Sequence, residues 1–95
     1  MEPADVTLLR EMREAIDAYR ANSLGIGRLA DKLLLLRDRL RFRDASWAHD
    51  VTQHIATLDS ASTFTPKDDT QAAQLAQAVN AAVASLLQLI GNKIA

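Results

Sequence analysis

A chain of 95 residues, 48% hydrophobic, 24% charged and without cysteine, has the size and composition of one folded domain, since disordered segments are poorer in apolar residues and domains begin near ~50 residues. Such a length buries somewhat over ~60% of its unfolded surface, enough for one modest core but not for a deep cleft under a lid. The near balance of 11 Lys and Arg against 12 Asp and Glu argues against a dedicated nucleic-acid binder or a membrane-surface protein, and the missing thiols exclude disulfides and thiolate zinc sites.

The opening "MEPADV" is acidic and lacks the basic and apolar regions of a signal peptide, so a cytoplasmic location is expected. No unbroken apolar run approaches the ~18 residues of a membrane span. A first helix is predicted over residues 3–21, with Pro3 suited to a first helical position and Asp5 to the positive end of the helix dipole. Val6, Leu9, Met12, Ile16 and Tyr19 recur at steps of three and four, which is one helix face. It should stop near Asn22.

A second helix is predicted over 24–43 in spite of Gly25 and Gly27, each costing about 1 kcal/mol relative to Ala inside a helix. Leu29, Leu33, Leu36 and Leu40 form its core stripe. The third, over 46–59, follows "RDAS", where Asp44 or Ser46 can cap exposed amides, and carries Trp47, Val51, Ile55 and Leu58 on one side. The fourth, over 66–90, should start with Thr65 as N-cap, Pro66 as first residue and Asp68 completing a capping box. It carries Leu75, Val79, Ala82, Leu86 and Ile90 on one face and should end at a left-handed Gly91. The expected fold is all-α, an antiparallel up-and-down four-helix bundle in a single domain spanning 1–95.

Catalytic constellations are absent from this pattern. His49 and His54 lie five apart, about 140° around a helix, and cannot make the i, i+4 pair of a zinc hydrolase. "SLGIGRLADK" holds GxG without the third glycine, the preceding strand or the lysine that a phosphate loop needs. No GxSxG elbow marks a nucleophile, and the paired Glu-x-x-His of di-iron bundles are missing. The expectation is a non-enzyme with no cofactor and no metal.

Charge is uneven along the chain: six basic residues and two acids fall between Arg28 and Arg43. On a helix, Arg28, Lys32, Arg39 and Arg43 lie on one flank of the leucine stripe and Arg37 and Arg41 on the other, where long stems cover the edges of a buried face and the heads stay wet. That reading displaces a nucleic-acid footprint, which would need an uninterrupted basic face with aromatics for stacking. The sector opposite the leucines holds Leu24, Asp31, Leu35, Asp38 and Phe42. Either a further helix covers it or it is an exposed contact patch. Trp47 is expected to be a core anchor.

The run "LREMREAIDAYRANSLGIGRLADKLLLLRDRL" followed by "DASW" resembles a family of small all-helical bacterial immunity proteins of contact-dependent inhibition and related polymorphic toxin systems, of the colicin D immunity type. Tyr19, Leu29, Leu33, Leu36, Asp44 and Trp47 carry the similarity over residues 8–58, all at scaffold positions. It implies an antitoxin that neutralises a cognate bacterial toxin, such as a nuclease, by covering its active site. Asp31, Leu35, Asp38 and Phe42 are then the candidate partner-binding residues, with apolar anchors between carboxylates that stand in for substrate phosphates. The alternative is a helical interaction or homo-oligomerisation module, a homodimer for instance, using the Ala-rich fourth helix as a close-packing seam.

Overall fold

The computed structural model describes residues 2–42 and 44–94. Helices α1 (Pro3–Arg20), α2 (Ile26–Arg39), α3 (Ala45–Thr63) and α4 (Asp69–Ile94) follow one another with no strand among the described residues. Each packs on two neighbours, α1 on α2 and α4, and α3 on α2 and α4, so the four close into a ring. Five-residue connections at 21–25, 40–44 and 64–68 force successive helices to run antiparallel. The expected all-α four-helix bundle is the observed fold.

The predicted stripes meet at the centre of this ring. Leu9, Met12 and Ile16 from α1, Leu29 and Leu33 from α2, Val51, Ile55 and Leu58 from α3, and Leu86 and Ile90 from α4 are fully buried. Burying a side chain of this size is worth roughly 1.5–3 kcal/mol. Leu36, Trp47, Val79 and Val83 are buried with them, while Leu40, Tyr19 and Leu75 pack half-buried against the core.

Several helix ends differ from expectation, some through long-range contacts and one through local capping. α1 stops as anticipated, because Asn22 takes a left-handed φ of 62° and the Ser23 and Asn22 amides return to the Ala18 and Tyr19 carbonyls at 2.8 and 3.0 Å, a Schellman closure. α2 is shorter than the expected 24–43. It begins after an extended Gly25 and ends at Leu40, whose ψ of 141° turns the chain away. The Arg41 amide is taken by the carboxylate of Asp5 at 2.8 Å, 36 residues earlier. Asp5, expected to act on the helix dipole, is buried and fastens the α2–α3 connection to the start of α1.

α3 continues four residues past 59, adding buried Ala61 to its stripe. α4 begins at Asp69 rather than 66: the N-cap is Asp68, whose carboxylate accepts the Gln71 amide at 2.8 Å, while the Gln71 side chain accepts the Lys67 amide at 2.9 Å. Asp outranks Thr as an N-cap, so the later start wins over Thr65 and Pro66. At the other end α4 runs through Gly91 to Ile94, and Gly91 has no positive φ. Half-buried Ile94 and the Lys93–Asp44 ion pair hold the last turn in helix, against a glycine cost of about 1 kcal/mol.

By length and composition alone, α4 is long and apolar enough to cross a membrane, with a mean hydropathy of 1.3 over its most apolar window, of which 28% is buried. No unbroken apolar run produces this value. It arises because residues 70–92 carry no charge at all.

Candidate binding surfaces

α2 turns its leucine stripe inward and presents Asp31, Leu35 and Asp38 to solvent. Leu35 is 62% exposed, the most open large hydrophobic residue described. No further helix covers it, which resolves the two alternatives for this sector in favour of an open patch. Asp38 is held in place by Arg37, whose Nη2 and Nε donate to one carboxylate oxygen at 2.6 and 3.1 Å. Arg37 also reaches across to α3, donating through Nη1 to the Thr52 hydroxyl at 2.8 Å.

Leu24 and Phe42 do not join this patch, because the helix that would have aligned them ends before both. Leu24 sits half-buried at the opposite end of the bundle from Phe42, where Tyr19, Ile26, Pro66, Leu75 and Val79 join it around an apolar cleft of about 640 Å³. Phe42 folds onto Trp47 edge to face, ring centroids 4.9 Å apart, with the Lys93 ammonium 5.3 Å from its ring centre. The expected basic flank of Arg28, Lys32 and Arg39 is exposed on α2; Arg43 lies outside the described residues. Arg41 leaves the helix and comes within 3.9 Å of Glu2.

Trp47 is the expected core anchor, 6% exposed, and its indole Nε1–H donates to the Leu89 carbonyl at 2.9 Å. Asp44 caps α3 through the Trp47 amide at 3.0 Å and accepts the Lys93 ammonium at 2.7 Å. The Lys93 hydrogen bond, followed by the Trp47 amide, holds the Asp44 carboxyl below the ordinary aspartate value. A cleft of about 590 Å³ opens over this knot, with Arg37, His49 and Thr52 on its wall. The Thr52 hydroxyl donates to the Ala48 carbonyl at 2.7 Å and His49 pairs with Gln53 at 3.0 Å. Neither contact links a hydroxyl to a base, so the wall offers an aromatic floor beside a guanidinium rather than an activated nucleophile.

A third surface spans the outer side of α3 and α4. Ala56, Ser60, Phe64, Leu75 and Ala78 line a shallow trough of about 390 Å³, and Phe64 stands 50% exposed at its end. Sequence periodicity gave no sign of Phe64, since it lies in the connection beyond the α3 stripe. Comparison with family models, with curated proteins and with solved structures finds no match to this chain.

Proposed function

We propose that this chain is an immunity-type protein, a non-catalytic cytoplasmic antitoxin that binds a cognate bacterial toxin and blocks its active site. The observation that carries the reading is the outer face of α2, where exposed Leu35 stands between the exposed carboxylates of Asp31 and Asp38. Desolvating a leucine supplies affinity, and flanking carboxylates choose a basic counterpart such as a nuclease site built for phosphates. Asp38 is prepositioned by Arg37 and pays less ordering entropy on docking. The positions that bear the resemblance support the same reading: Leu29, Leu33, Leu36 and Trp47 are buried, and Asp44 caps the third helix. Phe42, folded onto Trp47, is a scaffold residue in this reading.

Co-expression with the toxin encoded by the adjoining reading frame is the test, scored by survival and by capture of the purified pair. The wild type should protect, and the triple variant Asp31→Ala, Leu35→Ala, Asp38→Ala should lose both protection and capture while keeping its helical circular dichroism. Failure of the wild type to protect against any adjoining toxin would sink the antitoxin reading. Protection undiminished in the triple variant would remove the interface from α2.

A further inference from the structure

We infer that Asp5 is a long-range helix stop that withholds Phe42 from the outer face of α2. Where its carboxylate does not hold the Arg41 amide, α2 runs on through Phe42 and carries the ring to the side of Asp31, Leu35 and Asp38.

The local sequence gives α2 no reason to end at Arg39. A helix that stops by its own sequence commonly does so at a glycine or asparagine in the left-handed region. Here Leu40, Arg41 and Phe42 follow, and Leu40 turns away with φ −67° and ψ 141°. Leucine and arginine are among the better helix formers, and phenylalanine is an ordinary one. The pattern favours continuation on both sides of the helix: Leu40 falls in the stripe of Leu29, Leu33 and Leu36, and Phe42, seven residues after Leu35, falls within about 20° of it. A helix prolonged to Phe42 leaves residues 43 and 44 before α3, enough for a tight helix hairpin, whose loops run from about two to five residues.

The stop comes instead from α1. The Asp5 carboxylate, 1% exposed, accepts the Arg41 amide at 2.8 Å across 36 residues. A hydrogen bond to an ionised acceptor is roughly twice as strong as a neutral one, and a buried carboxylate left without a donor is heavily penalised. The amide that would have closed the next helical turn onto the Arg37 carbonyl is thereby taken. The neighbouring pair of Arg41 and Glu2, at 3.9 Å with both side chains well exposed, adds little. With the connection drawn toward α1, Phe42 lies half-buried against Trp47, ring centroids 4.9 Å apart, rather than open beside Leu35. Asp5 is thus a positioning residue: it lies on α1 and shapes the α2 face through the point at which that helix ends.

NMR assignment of the full chain tests this in the wild type, Asp5→Asn, Asp5→Ala, Asp5→Leu and, as control, Glu2→Ala. Asparagine keeps an acceptor oxygen, and leucine fills the buried site without one. The wild type, Asp5→Asn and Glu2→Ala should show non-helical Cα shifts over residues 40–42 and cross-relaxation between the Phe42 ring and the Trp47 indole. Asp5→Ala and Asp5→Leu should move those Cα resonances to helical values, gain the contact between the Arg39 Hα and the Phe42 amide proton that a helix gives, and lose the one between Phe42 and Trp47. A folded Asp5→Leu whose residues 40–42 stay non-helical overturns the inference, since Asp5 would then only fasten a connection that ends the helix by itself. Loss of the whole fold in both Asp5→Ala and Asp5→Leu overturns it as well, because Asp5 would then support the bundle rather than one helix end. These readouts need no partner, so the inference is decided apart from the antitoxin reading.

Discussion

Asp44 joins two helices through one side chain. Its two carboxylate oxygens accept from the Trp47 amide and from Lys93, so it caps α3 and ties that helix start to the end of α4. Replacing it by Ala should lower the melting temperature, and Lys93→Met in the Asp44→Ala background should cost little more, because the two residues share one contact. Since the folded state depresses the Asp44 pKa, the unfolded chain binds the proton more readily. The stabilisation is therefore present above the unfolded value of about 3.8 and is lost as pH falls through the lower, folded one. Melting temperature measured between pH 6 and pH 2 should fall more steeply at the acid end in the wild type than in Asp44→Asn, and parallel curves would rule out this linkage. A cap at Asp44 or Ser46 was legible in "RDASW", and the structure selects Asp44, whereas its second partner, 49 residues later in the chain, has no local signature.

The helices themselves were readable because each carries an unbroken 3.6-residue stripe, and what escaped is where they end. Caps are short-range competitions, and at "TFTPKDD" two valid N-caps lie three residues apart. Asp68 wins, so Asp68→Ala should cost about 1 kcal/mol, seen as a melting temperature roughly 4–8 °C lower, whereas Thr65→Ala should leave it unchanged. Gly91 shows the opposite case, a terminator by type that tertiary contacts keep helical. A Cβ built on it meets nothing within 4 Å, so Gly91→Ala should stabilise the chain by about 0.5–1 kcal/mol, measured by urea unfolding. A destabilised Gly91→Ala would mean that the last turn of α4 is not helical in solution. The end of α2 was beyond local reading altogether, because the buried carboxylate of Asp5 captures the Arg41 amide from the far end of the neighbouring helix, and with it went the alignment of Phe42 with Leu35.

At the scale of the whole molecule, two surfaces of opposite electrical character lie on different sides of one ring. The α2 face is charged, with Asp31 and Asp38 beside Leu35 and exposed Arg28, Lys32 and Arg39 on the same helix, so contact with a basic partner there rests on local pairs that ions screen over ~10 Å at ~0.1 M salt. The α3/α4 side is uncharged over residues 51–58 and 70–92, with Asp50 and Asp59 exposed nearer the ends of α3. Raising ionic strength from about 0.05 to 0.5 M should weaken toxin binding and slow its on-rate. An on-rate insensitive to salt would mean that Asp31 and Asp38 do not steer the encounter.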